Sequence, residues 1–381
     1  MIISNIRIEK IINRGLGLGF KDNKTIMVYY SIPSEVVDAE ILMTKKSYIV
    51  AKALNIKQSS PFRVDPICQY YMRCGGCQMM HIDYQRQVEF KRDVLIELFE
   101  RAKVNLSVPV KTILSNSHTN YRLRAQFLVK NAKVGFTEFN SNKFIKVDNC
   151  RICHDRINYA LSELNNNISS IELNRLFIAT DGKNISTYPI KDMHNRLDIS
   201  INRFKYHLKP QVFFQANIST LEEFQSVVVE PERGIFAIDF FSGSGFFSIP
   251  LSKRFENVLA IEESQDSISL LKRNMSVNNI SNIIPVNSTV ENATIPDIYK
   301  HTDLVILDPP RSGLSNRAIQ RVINLQPKKI IYVSCDPATL TRDVSSLHRA
   351  FYDIQEVILL DQFPHTFHFE TIVKMTRTLD E

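Results

Sequence analysis

The alternation of apolar and polar positions divides the chain into regions of different secondary structure. Residues 1–58 contain several short runs of strand type separated by turns, which predicts a small β-barrel. Residues 83–101 repeat apolar side chains at helical spacing, and residues 108–208 return to short strands, with a polar loop predicted at 165–170. From residue 210 onward, strand-like runs alternate with helical runs, which predicts a doubly wound α/β sheet.

Apolar, partly β-branched runs predict the strands of the C-terminal sheet, and amphipathic stretches between them predict its helices. Ligands bind at the carboxyl ends of the strands in such sheets, so the residues that follow each strand are candidates for chemistry. The helices are predicted after Gly245, Asn316 and Leu340, and over about residues 266–278. The predicted strands are Ile235–Phe241, Val258–Glu262, Ile283–Val286, Leu304–Leu307, Ile330–Val333, Ile354–Leu360 and Thr371–Thr376.

Length and composition limit the classes of protein that the chain can represent. Its 381 residues suffice for two or three domains, and 44% hydrophobic and 23% charged residues are typical of a soluble globular protein. No apolar run reaches the length of a membrane span, and the N-terminal residues lack the pattern of a signal peptide, so we expect a cytoplasmic protein. The net charge of +7 favours a polyanionic partner such as nucleic acid.

Three of the six cysteines lie within ten residues, which indicates a metal site rather than disulfides. The glycines between Cys74 and Cys77 permit the tight backbone that points two sulfurs at one centre, and Cys68 supplies a third ligand. Either Cys150 or Cys153 supplies the fourth, and the spacing does not choose between them. Four thiolates suit both zinc and an iron–sulfur cluster, so the spacing leaves the metal open as well.

A further cysteine has a different setting, at the end of a predicted buried strand. The run Ile330–Val333 delivers the segment Ser334-Cys335-Asp336-Pro337 to the carboxyl edge of the sheet. A cysteine at this edge is a candidate nucleophile. The alternative is that Cys335 is a small buried hydrophobic side chain, as free cysteines commonly are.

Two loops that follow strands predict a nucleoside-type cofactor. Gly243 and Gly245 follow the first strand and let a ligand approach the backbone, and Glu262 ends the second strand, where a carboxylate can accept both hydroxyls of a ribose. The dinucleotide fingerprint needs a third glycine where this chain has Ser248, so S-adenosylmethionine fits better than a pyrophosphate cofactor. The stiff loop Asp308-Pro-Pro-Arg311 after the fourth strand strengthens the interpretation as a methyltransferase.

Basic side chains in the first half of the chain are candidates for RNA binding. The strand-like run Tyr121–Val129 places Arg122 and Arg124 on one face, where they either bind phosphates or form an ordinary exposed face. Lysines among the strands of the barrel suit an oligonucleotide-binding barrel, although a solvated lysine surface is the more common case.

Six motifs in this order resemble the RNA uridine-5-methyltransferase family of the TrmA/RumA type, over essentially the whole chain. The resemblance implies a TRAM barrel of the oligonucleotide-binding type at residues 1–58, and a central domain with a four-iron (4Fe-4S) cluster at 59–82 and 108–209. It implies an S-adenosylmethionine-dependent catalytic domain at 83–107 and 210–381, and we expect a monomer. The motifs are Cys68-x5-Cys74-x2-Cys77, Phe213-Phe-Gln-Ala-Asn217, Asp239-Phe-Phe-Ser-Gly-Ser-Gly245, Asp308-Pro-Pro-Arg311, Ser334-Cys-Asp-Pro337 and Asp361-Gln-Phe-Pro-His-Thr-Phe-His-Phe-Glu370.

The resemblance also implies roles for individual residues. Cys335 is the expected nucleophile and Glu370 the expected general base. The fourth cluster ligand is expected to be Cys150 rather than Cys153. The residues expected to line the S-adenosylmethionine site are Gln215, Phe241, Gly243, Gly245, Phe246, Glu262 and Asp308, although the family commonly has a small polar residue at the position of Phe246.

The implied reaction explains why a cysteine and a base are needed in one pocket. Uracil C5 is too weak a nucleophile to take a methyl group from a sulfonium ion, and addition of a thiolate at C6 places electron density on C5. A base then removes the C5 proton so that the thiolate can leave. The target base must leave its stack, so an RNA loop is the expected substrate. The barrel favours ribosomal RNA, and tRNA is the alternative.

Two other classes of protein compete with this interpretation. An RNA cytosine-5-methyltransferase also uses a cysteine nucleophile, but it predicts no cluster cysteines and usually a second cysteine in the DPP-type loop, where this chain has Arg311. A non-catalytic RNA-binding protein with a zinc-stabilised fold predicts no methyl transfer and a colourless purified protein.

Overall fold

The computed structural model describes residues 1–167, 173–190, 193 and 195–378. Within these residues, strands form a closed five-stranded barrel, a five-stranded sheet, a two-stranded ribbon and an eight-stranded sheet. No helix in the described part of the chain is long and apolar enough to cross a membrane.

The N-terminal barrel closes around small and branched apolar side chains. Ile6, Val28 and Ala51 are among the fully buried residues that fill its interior. Neighbouring strands approach so closely that a Cβ atom at Gly19 would lie 2.4 Å from the carbonyl oxygen of Arg7, so this position requires glycine. The strands are Ile2–Ile12, Leu16–Lys21, Lys24–Tyr29, Val36–Thr44 and Tyr48–Gln58.

The predicted amphipathic helix is present as Tyr84–Arg101, and it joins the barrel to the C-terminal sheet. One stripe of the helix, which includes Leu95 and Phe99, packs in a core of the C-terminal sheet. A second stripe, which includes Phe90 and Val94, packs with apolar side chains of the barrel and of the segment that follows the clustered cysteines. The helix therefore belongs to the C-terminal core and also supports the N-terminal regions.

The central region is an antiparallel sheet packed against one helix. Residues 165–167 end the helix Asp155–Asn167 rather than beginning the predicted loop, and residues 168–170 lie outside the described residues. The run predicted at Tyr121–Val129 starts as a strand only at Arg124. Arg122 forms isolated bridges instead. The strands are Arg124–Lys130, Lys133–Thr137, Phe144–Lys146, Arg175–Thr180 and Ile185–Tyr188.

The C-terminal sheet contains every strand predicted for it, with shifts of at most three residues at an end. The first five strands in spatial order are parallel, and the sixth runs antiparallel to both of its neighbours. In spatial order the strands are Ile283–Asn287, Phe255–Glu262, Gly234–Phe240, Leu304–Leu307, Lys329–Ser334, Glu370–Arg377, Tyr352–Leu360 and Val110–Ile113.

Helices cover both faces of this sheet, so the predicted doubly wound α/β fold with a preceding barrel is confirmed. Ala237 contributes to the core on one face, and its neighbour Ile238 contributes to the core on the other. The helix predicted after Gly245 is only four residues long. The helices are Leu221–Val229, Ser248–Leu251 and Gln265–Val277 with the first core, and Asn316–Leu325 and Pro337–His348 with the second.

Two segments lie with the C-terminal sheet although the predicted boundaries assign them to the central domain. The strand Val110–Ile113 pairs with the edge of the sheet. The ribbon of Leu197–Ile201 and Phe204–Leu208 packs its apolar side chains into one of the sheet's cores. The division of the chain into three domains stays a prediction.

Candidate active site

The register of two strands brings Cys335 and Glu370 side by side at one end of the C-terminal sheet. The strand that ends at Ser334 runs antiparallel to the strand that begins at Glu370, and Ser334 lies opposite Thr371. If this register is continued by one residue, Cys335, which directly follows the first strand, lies opposite Glu370, the first residue of the second strand. The nucleophile and base expected from the sequence therefore meet at this end of the sheet.

Burial and nearby carboxylates raise the pKa of both groups. Burial and then Asp308 raise the pKa of Glu370 well above its usual range. Within the described residues, its Oε2 atom has no hydrogen-bond partner. Burial and then Glu370 raise the pKa of the Cys335 thiol to about 12. Arg311 acts in the opposite direction, because its positive charge, and then its hydrogen bond to the thiol, lower that pKa and favour the thiolate.

The glycine loop after the first strand leaves open space beside a carboxylate. Both Gly243 and Gly245 adopt left-handed conformations, with φ of +53° and +93°. A Cβ atom at Gly243 would meet no atom within 4 Å, so the backbone there is open to a ligand. The backbone N–H groups of Gly243 and Ser264 donate to the two oxygens of Glu262, at 3.0 and 2.8 Å. The loop and this carboxylate thus form one unit.

A group of buried carboxyls links this loop to Glu370. Burial raises the pKa of Asp239 to about 7. Burial and then Asp239 raise the pKa of Asp308 to about 8. Asp239 accepts a hydrogen bond from the hydroxyl of Ser248, and Gln215 Nε2 donates to Asp308 Oδ2 at 3.3 Å. The predicted residues Gln215 and Asp308 are therefore in contact with each other.

Cys335 opens onto a cleft of about 700 Å³ that all regions of the chain help to form. This volume lies within the range of ligand sites, roughly 300–1,000 Å³. The barrel contributes Arg14 and Tyr29, the cysteine-containing segment contributes Gly75 and Gln78, the central sheet contributes residues 137–141, and the C-terminal sheet contributes Arg311, Cys335 and His368.

The clustered cysteines line a second cavity, of about 190 Å³. Burial and then the charge of Cys150 raise the pKa of Cys68 and of Cys77. The charge of Cys150 also raises the pKa of Cys74, after the larger effect of burial. Cys150 therefore lies close to all three. Cys153 also reaches the cavity but is buried in the core of the central region. Its hydrogen bond to Cys150 lowers the pKa of Cys150 to about 6.

The donor set of this cavity fits an iron–sulfur cluster. Among the described residues, no group of three or more His, Cys, Asp or Glu side chains is arranged to hold a metal ion. An iron–sulfur cluster is larger than one ion and takes four thiolates. A cavity of about 190 Å³ lined by these thiols provides both the space and the ligands for such a group.

Comparison with known proteins identifies the family. Residues 78–378 match the tRNA (uracil-5-)-methyltransferase family. The chain belongs to this family. It is an S-adenosylmethionine-dependent RNA (uracil-5-)-methyltransferase, as the six motifs predict. The competing interpretations as a cytosine-5-methyltransferase and as a non-catalytic zinc protein are therefore set aside.

Individual relatives cover almost the whole methyltransferase. A tRNA (uracil(54)-C(5))-methyltransferase of Pyrococcus abyssi is 29% identical over 94% of this chain and 97% of its own length. The 23S rRNA (uracil(1939)-C(5))-methyltransferase RlmD of Aliivibrio salmonicida is 25% identical over 98% and 96%. The crystal structure of the Pyrococcus enzyme with S-adenosyl-L-homocysteine has a TM-score of 0.79 at 24% identity, and covers 99% of this chain and 100% of that one. It has the same fold.

The position of Phe246 corrects one of the predicted cofactor contacts. Its side chain is buried among Tyr206, Phe214, Phe224 and Phe247 in a core of the sheet, so it does not face the open side of the glycine loop. The core of the methyltransferase accommodates this bulky side chain. Phe241, which was also predicted to line the cofactor site, lies in the loop with a left-handed φ of +63°.

Arg122 and Arg124 do not share the strand face on which the sequence placed them, and RNA binding by either residue stays a prediction. Arg124 is half-buried, donates to the carbonyl oxygen of Pro210 at 2.7 Å, and lies over the ring of Phe177. Arg122 donates to the backbone oxygen of Arg124 at 2.9 Å and lines the cysteine cavity. The predicted shared face is absent because the strand begins only at Arg124.

Three side chains of the methyltransferase site were not predicted individually. Asp239 and Arg311 stood in the motifs but had no assigned role, although a carboxylate at a strand end next to the glycine loop is a signal for Asp239. Tyr29 of the barrel lines the cleft with Cys335. No local pattern marks it, because only the packing of the barrel against the catalytic sheet brings it there.

Proposed function

We propose that the enzyme methylates C5 of a uridine in structured RNA through a covalent bond between Cys335 and C6, with Glu370 as the general base. The observation that carries this proposal is the adjacency of Cys335 and Glu370 at the end of two paired strands, beside one open cleft. The motif residues on either side supply a cofactor loop and a second carboxylate.

Each catalytic group has one task in this reaction. The Cys335 thiolate adds to C6, and Arg311 supports it by favouring the ionised thiol. The C5 carbanion equivalent then takes the methyl group that S-adenosylmethionine supplies. The Glu370 carboxylate removes the C5 proton, the C5–C6 double bond re-forms and the thiolate leaves. Because the pKa of Glu370 is raised, its carboxylate is a stronger base than an exposed one.

The cleft supports a flipped target base. A uridine stacked in a helix cannot reach Cys335, whereas a nucleotide extruded from a loop fits a pocket of this size. Arg14 and Tyr29 of the barrel also line the cleft, where a cation and an aromatic ring suit the phosphate and a neighbouring base. The chain supplies the whole cleft by itself, which supports a monomeric enzyme, and we propose that it acts in the cytoplasm.

For the RNA, a uridine of 23S ribosomal RNA is our first candidate, supported by the similarity to RlmD of Aliivibrio salmonicida over 98% of this chain. The barrel does not distinguish ribosomal RNA from tRNA as the substrate, contrary to our expectation, because the fold of the Pyrococcus tRNA enzyme covers 99% of this chain. A tRNA uridine is therefore the second candidate, supported by that relative. RNA from a deletion strain, digested and mapped by mass spectrometry, should lack one 5-methyluridine in 23S rRNA. Loss confined to a tRNA loop would overturn the first candidate.

We propose that Glu262 binds the ribose of S-adenosylmethionine beside the open backbone of Gly243. Glu262→Ala should weaken binding of S-adenosylmethionine by about 10²-fold or more, because two hydrogen bonds to a charged group are lost, at roughly 1.5–3 kcal/mol each. Titration calorimetry measures the effect. Glu263→Ala is the matched control, because this neighbouring carboxylate is exposed, and it should bind as the wild type does. Equal weakening in both variants would contradict the assignment.

We also propose that Cys68, Cys74, Cys77 and Cys150 hold an iron–sulfur cluster. The support is the donor set around one cavity and the closeness of Cys150 to the other three. Methyl transfer to uracil needs no electron transfer, so the cluster would have a structural role. It would stabilise the cysteine-containing segment, which borders the cleft at Gly75 and Gln78.

The two candidates for the fourth ligand give a sharp comparison. Anaerobically purified protein should be brown and contain iron. Cys150→Ser should lose most of the iron and the visible absorption, whereas Cys153→Ser should retain both, because Cys153 is buried in the neighbouring core. Stoichiometric zinc without iron would contradict the assignment of an iron–sulfur cluster. Loss of iron in Cys153→Ser but not in Cys150→Ser would make Cys153, rather than Cys150, the fourth ligand.

A further inference from the structure

Residues 361–369 form the loop that carries the general base into the site, and we call them the base loop. The loop connects the strands Tyr352–Leu360 and Glu370–Arg377, so Glu370 is the first residue after it. Because the Oε2 atom of Glu370 has no partner among the described residues, no bond at that oxygen fixes the carboxylate. Its position depends on the backbone that precedes it.

The middle of the base loop is held in a costly conformation by four hydrogen bonds. His365 has a left-handed φ of +68°, which an L-residue adopts only when its surroundings impose it. Its backbone N–H donates to Gln87 Oε1 at 2.9 Å, and Gln87 Nε2 lies 3.2 Å from its ring Nδ1. Its carbonyl oxygen accepts from the backbone N–H groups of Gln78 and Met79, at 3.1 and 2.9 Å.

The same helix also holds the start of the base loop. Lys91 lies one turn after Gln87, and its Nζ atom contacts Asp361 Oδ1 at 2.6 Å and the carbonyl oxygen of Phe363 at 3.2 Å. Both Lys91 and Asp361 are buried. A buried ion pair with an added hydrogen bond fixes geometry more strictly than an exposed pair does.

We propose that Gln87 is a positioning residue for the general base, with Lys91 as its supporting contact. The inference rests on the proposed function, because it concerns the step in which Glu370 removes the C5 proton. Gln87 touches neither substrate nor cofactor. It acts through His365, by imposing the backbone conformation that directs the chain toward Glu370. A glutamine is suited to this task because one amide both accepts from the His365 N–H and faces the ring nitrogen.

This assignment predicts that one step of the reaction is affected and another is not. Cys335 lies between the strand Lys329–Ser334 and the helix Pro337–His348, away from the contacts that Gln87 makes with His365, so we expect its addition to C6 not to depend on Gln87. Loss of Gln87 should therefore leave adduct formation close to the wild-type rate. Removal of the C5 proton should slow, so that the methylated adduct accumulates.

The test is a single-turnover reaction with RNA that carries tritium at C5 of uridine. Denaturing electrophoresis measures the covalent protein–RNA adduct, and release of tritium to water measures proton removal. In Gln87→Leu, which keeps the volume but removes both polar atoms, tritium release should slow by roughly 10- to 100-fold, part of the 10²–10⁴-fold contribution of a general base. Gln87→Glu retains the acceptor for the His365 N–H and should lie between this variant and the wild type.

Arg92→Ala is the matched control on the same helix, because Arg92 is exposed, and it should release tritium as the wild type does. Unchanged release in Gln87→Leu would overturn the positioning role. An equal decrease of adduct formation and tritium release would also overturn it, because a general loss of structure lowers both. If the wild type itself forms no adduct through Cys335, the proposed function fails and the positioning role fails with it. A wild type that forms the adduct, with an unaffected variant, would refute the positioning role alone.

Discussion

Cys335→Ala should abolish both methylation of RNA and formation of the covalent protein–RNA adduct. No other thiol lines the cleft in the described part of the chain, so nothing replaces the nucleophile that activates C5. Addition to C6 supplies the electron density that the methyl transfer requires, and its loss removes the reaction path itself rather than slowing one step. Methyl incorporation from labelled S-adenosylmethionine and denaturing electrophoresis measure the two effects.

Two measurements separate this loss from a loss of structure. Cys335→Ala should bind S-adenosylmethionine as the wild type does, because the glycine loop and Glu262 lie at other strands of the sheet. It should also unfold at a similar temperature, since the thiol is only half-buried. An adduct in this variant would mean that another residue is the nucleophile.

Glu370→Gln should fail at a later step. The amide cannot take the C5 proton, so elimination of the thiolate stalls after addition and methyl transfer. Losing a positioned general base costs about 10²–10⁴-fold in rate, so the methylated adduct should accumulate and survive denaturing electrophoresis. Single-turnover kinetics should reveal adduct formation close to the wild-type rate and very slow decay.

The matched control for this variant is Glu223→Gln, which makes the same chemical change at an exposed position of the helix Leu221–Val229. It should turn over normally. Glu370→Gln also removes a carboxyl whose pKa is raised by burial, so the variant should fold at least as stably above neutral pH. A variant that completes the reaction at the normal rate would assign the base to another group.

Local patterns predicted the C-terminal sheet well because its strands are buried on both faces. The run Leu304–Leu307 is entirely apolar and lies between two aspartates, so its ends are set by the sequence. The segment Ser334–Pro337 was predicted at the edge of the sheet for the same reason, and Asp336 caps the following helix. The helix predicted after Gly245 is present as the short helix Ser248–Leu251.

The parts that were missed depend on packing between distant segments. Arg122 was assigned to a strand from its alternation, but bridges to Asn217 and Cys153 decide its position. Phe246 was assigned to the cofactor because it follows the glycine motif, but its neighbour Phe247 and three aromatic side chains from other segments surround it. The cleft itself is formed by segments from residue 13 to residue 368, and no local pattern encodes its shape.

The central claim is that Cys335 bonds to a uridine while C5 is methylated, and one measurement tests it directly. RNA that contains 5-fluorouridine should trap the wild-type enzyme, because fluorine cannot leave as a cation. After digestion with trypsin and nuclease, mass spectrometry should find a methylated fluorouridine attached to the peptide 330–342, at Cys335. A nucleoside attached to any other residue, or an enzyme that methylates RNA without a trapped adduct, would contradict the mechanism.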